Sequence, residues 1–415
     1  MSLAFIYFLL ASIVLLLAKQ YKSSQYLFYL DPFNYFYLFT ILYLIVPILY
    51  YSNSISGAYL IESYGGINND YLLYSKYFIS IILIYGLIRL GFISNIRRPV
   101  KIPFRADKSF LFYSSCLITL YTSLVILINY SNFDFFGSRV VNVEHYEFIN
   151  AKYKLNFATF FLVGLVVYQV ISTSKLKYIL FLSPILIYDL LTFGRFYLFL
   201  FFSVLLICLL LLNRKIPIIG AGLLGVSIIS IEFIRAFLGG SLDLEVLVII
   251  PGELLLTYLN TVKDLYAGQL ITTSEYFDIL LAKLLLISSF SNEISSYKSP
   301  QNFLGEVFFM DSKIFKYTYP FLVLISLEFL YFIVHKAYLF GIIALTFYII
   351  LLPTFFRHGI IIGFFELLYY LIYAVPWYFL FLLHNVGRTN NLVKGDSISD
   401  RALVSIKNNH VLKSE

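Results

Sequence analysis

The sequence predicts an all-α polytopic integral membrane protein of about eleven transmembrane helices, with one long outward loop that carries interfacial helices. Composition is the first ground. With 60% hydrophobic and 13% charged residues and a mean hydropathy of +0.85 over 415 residues, the chain is far more apolar than the roughly 45–50% of a soluble domain. The second ground is run length: a bilayer core of about 30 Å takes around 20 apolar residues per helix. Stretches such as Phe196–Leu212 are continuous and near that length, whereas barrel strands would alternate. The third is the placement of the basic residues, which recur in short connectors on one side, as retention of Lys and Arg on the cytoplasmic side requires.

Taken in order, Ser2–Ala18 lacks a basic leader and a small-residue cleavage site, so it reads as a first span rather than a removable signal. Phe33–Tyr51, Tyr71–Ile93, Phe110–Tyr130 and Leu155–Thr173 follow, each set off by polar connectors. Tyr178–Leu191 is short, and Tyr188 and Asp189 near its end turn it toward protein or water rather than lipid. Phe196–Leu212 and Ile216–Ile234 come next, and Tyr319–Val334, Ala337–Phe356 and Gly359–Leu383 complete the set. The cytoplasmic connectors carry Lys19 and Lys22, Arg97 to Lys108, Lys175 and Lys177, Arg214 and Lys215, Lys336, and the basic tail 384–415. The amino terminus then lies outside and the carboxy terminus inside, in one membrane domain over 1–415.

Between the eighth and ninth spans lies the loop 235–316. At about eighty residues it is long enough to carry function or structure of its own. Its apolar pieces Leu242–Leu259 and Tyr276–Phe290 are interrupted by Glu245, Pro251, Gly252, Glu253, Asp278 and Lys283, so interfacial helices fit them; a further pair of spans is the alternative. Tyr276, Ile279, Leu280 and Leu284 recur at helical spacing, as in a helix that walls a cavity.

Several chemistries are excluded. There is no Walker A loop, HExxH, GxSxG elbow or zinc-spaced Cys/His set. Cys116 and Cys208 sit inside apolar runs, away from any disulfide or metal framework. The formal charge of +7 is spread over loops without a nucleic-acid-binding fold. Neither a cofactor, a metal nor a nucleic-acid partner is expected.

The arginines at outward helix ends, Arg139, Arg195, Arg235 and Arg357, stand against the charge rule. Taken singly, each reads as a snorkelling anchor or as the partner of a carboxylate, Asp189 for Arg195 and Glu232 for Arg235. Taken together they lie in different connections of one face, where a bundle can converge them on an anion, and guanidinium groups suit bidentate phosphate recognition. Of the histidines only His145 and His358 face outward. Glu144, His145, Glu147 and His358 are therefore the candidates for a general base; a solvated loop or interfacial turn is the plainer reading of each. Glu293 and Lys298 are weaker contacts for a ligand, and Glu328 and Glu366 read as partners in buried networks with Tyr or with each other.

On Phe136-Gly137-Ser138-Arg139, Thr192-Phe193-Gly194-Arg195 and Phe356-Arg357-His358-Gly359, with the many spans, late long loop and Phe/Ile/Tyr/Leu bias, the chain resembles the Wzy family of bacterial O-antigen polymerases over about its full length. The resemblance implies a periplasmic loop at the inner membrane and polymerisation of undecaprenyl-pyrophosphate-linked oligosaccharide repeat units. It also implies a chain-length regulator protein as a partner. Pyrophosphate would leave as an activated group, with arginines in place of a metal. An O-antigen ligase-type transferase has a similar architecture, and a lipid-linked oligosaccharide flippase is the alternative from another class.

Overall fold

The computed structural model describes residues 3–23, 30–45, 69–93, 108–132, 148–150, 152–192, 196–211, 273–285, 304–308, 312–336 and 338–372. Among them there is no strand, and four helices are long and apolar enough to cross a membrane: Leu73–Leu90, Ser109–Ile128, Leu155–Thr173 and Lys313–His335. These apolar helices fit a membrane-embedded chain. The expected span Ile216–Ile234 and the apolar piece Leu242–Leu259 lie outside the described residues.

Helix α1 is Leu3–Ser23 and α2 is Pro32–Thr40, which continues as a π turn over Ile41–Ile45. Asp31 starts α2: its carboxylate accepts from the Phe33 N–H at 3.1 Å, and Pro32, having no N–H to leave unpaired, takes the first helical position. Helices α3 (Asn69–Ile93), α4 (Lys108–Ile128) and α5 (Leu155–Thr173) follow, α5 with the bounds its apolar run predicts.

The segment expected as a short sixth span is built differently from a single α-helix. It is a 3-10 segment, Leu176–Leu182, running into α6, Ser183–Leu191, with Pro184 in the first turn. The tighter helix rises about 2.0 Å per residue against about 1.5 Å. Its 7 and 9 residues therefore reach roughly 28 Å, close to a bilayer core.

Helix α7 is Phe196–Leu211 and α8, in the stretch expected as the long loop, is Thr273–Leu285. A single turn, α9 (Gly305–Phe308), precedes α10 (Lys313–Lys336), α11 (Tyr338–His358) and the run Ile360–Ile372, here α12.

Helix α11 is the centre of the bundle, packed against α2, α5, α7 and α10. Its residues are buried almost all round, from Ala344 through Phe347, Tyr348, Ile350 and Leu352 to Phe356. Around Phe160 of α5, the rings of Phe347 at 5.0 Å and Tyr370 at 4.0 Å tie α5, α11 and α12 together. Helix α4 is equally apolar yet exposes Tyr113, Leu117, Leu124 and Ile128. Hydropathy is the same for a lipid-facing and a protein-facing helix, so only packing separates the two. A polar link joins α4 and α5, the Gln169 amide donating to Ser115 Oγ at 2.9 Å.

Candidate functional site

The junction between α11 and α12 holds the Arg357-His358-Gly359 motif. Arg357 and His358 are the last two residues of α11, and Gly359, at φ +121°, turns the chain into α12. That φ is open to glycine and strained for other residues. A Cβ there would also stand 2.7 Å from the Glu306 carboxyl carbon, so a side chain is excluded twice over.

Glu306 is buried directly beneath this turn. Its carboxylate accepts from the backbone N–H of Ile361 at 3.2 Å and of Ile362 at 3.0 Å, from the Tyr319 hydroxyl at 2.6 Å, and from the Tyr276 hydroxyl. The Tyr319 oxygen in turn accepts from the Ile360 N–H at 3.4 Å, while Gly363 N–H returns to the Gly359 carbonyl at 3.0 Å. Every amide of the first turn of α12 thus has an acceptor, which an apolar setting demands. Among the described residues no cation pairs with Glu306. Burial pushes its carboxyl above the ordinary range, against the pull of its hydroxyl and amide donors. Burial also raises the Tyr276 phenol, with the Glu306 charge acting in the same sense, so it stays a hydroxyl donor.

The helix α8 meets this site through one face. Tyr276 and Leu280, one turn apart, are buried, and the Tyr276 ring packs edge-on against Phe315 at 5.4 Å. Glu275, Phe277, Asp278 and Leu281 are exposed. The expected inward spacing is met at Tyr276 and Leu280; the Ile279 and Leu284 side chains are outside the description.

A second buried polar cluster joins α2, α3 and α10. Arg89, 5% exposed, donates through Nη1 to Asp31 at 2.5 Å and through Nε to Glu328 at 2.7 Å, and the Tyr85 hydroxyl donates to the same Glu328 oxygen at 2.7 Å. The guanidinium lies between the rings of Phe33 at 4.0 Å and Tyr331 at 4.3 Å. Beside it His335 Nδ1 meets the Tyr331 carbonyl at 2.9 Å. Arg89 Nη2 and His335 Nε2 have no hydrogen-bond partner among the described residues. The expectation that Glu328 is a network partner of tyrosine holds; Glu366 Oε2, by contrast, has no hydrogen-bond partner there. Glu328 and Tyr85 also supply the polar wall of an open, otherwise apolar groove of about 690 Å³ between α3 and α10, lined by Ile81, Ile84, Ile88, Phe321, Ile325 and Phe329.

Asp189 has a third, related role. It accepts from the Tyr197 and Leu198 N–H groups at 2.7 and 2.9 Å and so caps α7 from the end of α6. Its expected partner Arg195 lies outside the described residues, as do Arg139, Arg235, Glu144, His145, Glu147, Glu293 and Lys298. Of the candidate site residues the structure places the backbone of Arg357 and His358 alone, at the Glu306 junction.

Sequence reasoning missed Glu306, Tyr319, Asp31 and Arg89. Asp31-Pro32 ahead of an apolar run is a readable helix start. Arg89 inside an apolar run demands a buried partner. Glu306 has no such local signal, because its partners come from Tyr276, Tyr319 and Ile361–Ile362, far apart in the chain. No family model, curated protein or solved structure matches the chain.

Proposed function

We infer that the chain is a metal-independent glycosyltransferase that polymerises undecaprenyl-pyrophosphate-linked oligosaccharide repeat units at the periplasmic face of the bacterial inner membrane. The observation that carries this reading is the α11–α12 junction: a helix ending in Arg357-His358, broken at Gly359 and pinned by a buried carboxylate to a helix of the long loop. Such a joint presents a basic helix end on rigid elements, which precise contact with a pyrophosphate requires. In this reading Arg139, Arg195, Arg235 and Arg357 bind the pyrophosphate and stabilise the charge that develops as it leaves. One of His145, Glu144, Glu147 and His358 takes the proton of the acceptor hydroxyl as that oxygen attacks the anomeric carbon. About eleven spans place 235–316 outside. The exposed Phe277 and Leu281 of α8 suit an interfacial position, and the groove between α3 and α10 suits an isoprenoid tail.

Purified protein in liposomes with undecaprenyl-pyrophosphate-linked repeat units, and neither nucleotide nor ion gradient, is expected to lengthen the glycan. Arg195→Ala and Arg357→Ala are each expected to abolish the ladder at unchanged membrane level, and Arg→Lys to fail as well where contact is bidentate. Near-normal activity in either alanine variant reduces that arginine to an anchor. A second reading, a flippase for lipid-linked oligosaccharides, is favoured by the Asp31–Arg89–Glu328 cluster inside the bundle, since buried charges often line transport paths. Translocation of intact units without new glycosidic bonds would decide for it.

A further inference from the structure

We propose that Glu306 is a positioning residue that couples the loop helix α8 to the α11–α12 junction, so that docking of α8 sets the presentation of Arg357 and His358. The ligand role of that helix end rests on the polymerase reading; the coupling itself does not.

The argument begins with how α12 starts. A helix needs acceptors for its first N–H groups, and a Ser, Thr, Asp or Asn just before it is the common local source. Here that position is Gly359, which has no side chain to offer. The acceptors come from elsewhere: Glu306, more than fifty positions earlier in the chain, takes the Ile361 and Ile362 amides, and Tyr319 takes the Ile360 amide. A local cap would make the joint independent of its surroundings. A distant one makes it conditional on the segment that supplies it.

That segment is itself tied down from α8. The Tyr276 hydroxyl binds one carboxylate oxygen of Glu306 while Tyr319 binds the other, so both oxygens serve a hydroxyl and an amide at once. Leu280, Leu304 and Val307 are buried, and Tyr276 packs on Phe315. When α8 undocks, Glu306 loses a donor and its apolar cover together, and water can compete for the carboxylate that holds α12. Since Gly359 carries the turn immediately after Arg357 and His358, a loosened α12 start lets that helix end reorient. Coupling of this kind is reciprocal: loosening the joint must also loosen α8.

Tyr276→Phe removes the hydrogen bond that α8 gives Glu306 and leaves Tyr319 and both amides on the carboxylate. In reconstituted protein, trypsin cleavage after Lys283 in α8, followed by mass spectrometry, is expected to be about tenfold faster, the factor that loss of one buried hydrogen bond brings to local opening. Gly359→Ala, which perturbs the other side of the joint, is expected to speed the same cleavage. Repeat-unit polymerisation by Tyr276→Phe is expected to show a KM for the lipid-linked acceptor raised about tenfold with kcat near normal, because bound substrate draws the docked state back. Unchanged cleavage in either variant overturns the coupling, and so does a KM left at its normal value. If the normal chain makes no polymer at all, the polymerase reading fails, and the two cleavage rates still decide the coupling.

Discussion

At the N-terminal end of α10 the carboxylate of Glu306 is buried among neutral donors, two tyrosine hydroxyls and two backbone amides. Toward the C-terminal end, the buried Asp31 and the half-buried Glu328 flank the guanidinium of Arg89. Tyr319 and Glu328 mark the two clusters along one helix, roughly 14 Å apart at about 1.5 Å per residue. In one, partial charges at a helix start compensate the carboxylate, and their effect fades within a turn. In the other, a full charge does so, with two aromatic rings against it. A site of the first kind depends on where the helix start sits and responds to its movement. A site of the second kind clamps α2, α3 and α10 into one body.

The largest expected effect tests that clamp. Arg89→Ala leaves the buried Asp31 without its cation in an apolar setting, and is expected to cost about 3–5 kcal/mol, the range for breaking a buried pair from one side. Thermal unfolding in detergent micelles measures it. Arg89→Met combined with Asp31→Asn and Glu328→Gln removes the charges together and is expected to recover most of the loss. If Arg89→Ala alone is as stable as the original protein, the clamp is not what distinguishes the two ends.

The next effect belongs to Glu306, where the contrast is sharpest in its response to pH. Burial raises the folded-state value above the ordinary one, so the folded protein holds this proton more tightly than the unfolded chain does. Its contribution to stability is then complete below the unfolded value, about 4.3, and is lost as pH rises through the folded value. Either form has partners, because the tyrosine hydroxyls can turn from donors to acceptors when the carboxyl is protonated. Glu306→Gln has no proton to lose. It is expected to cost about 1–3 kcal/mol through mismatched donors, with the gap between variant and original narrowing as pH rises. A gap that widens with pH would show that the amide donors, not burial, set the carboxyl.

Much of this contrast was hidden from the sequence for a definite reason. Helices announce themselves by apolar runs, and the bounds of α5, α7 and α3 lie where those runs place them. Run length does not reveal that the segment expected as the sixth span begins as a 3-10 helix, which rises faster than an α-helix and which no hydropathy profile records. The Arg357-His358-Gly359 motif was visible as basic residues at a break, but the carboxylate that fixes it was not. Glu306 sits in Leu304-Gly305-Glu306-Val307, where nothing local marks a loop glutamate as buried. Asp189 was legible as a residue needing a partner. The amides of α7 that it accepts from were not, because any carboxylate can serve a helix start.

Asp189 supplies the smallest and most discriminating test, because it does for α7 what Glu306 does for α12 without any distant element. Its carboxylate reaches the Tyr197 and Leu198 amides, only eight and nine positions on, from the last turn of α6. Asp189→Ala is expected to cost about 0.5–2 kcal/mol, the usual loss for a helix cap. Because the cap is local, trypsin cleavage after Lys283 in α8 is expected to stay at its original rate. Glu306→Gln, at a comparable cost in stability, is expected to raise that cleavage. Equal cleavage in the two variants would mean that any uncapped helix loosens the whole bundle, and the difference between a local and a distant cap would disappear.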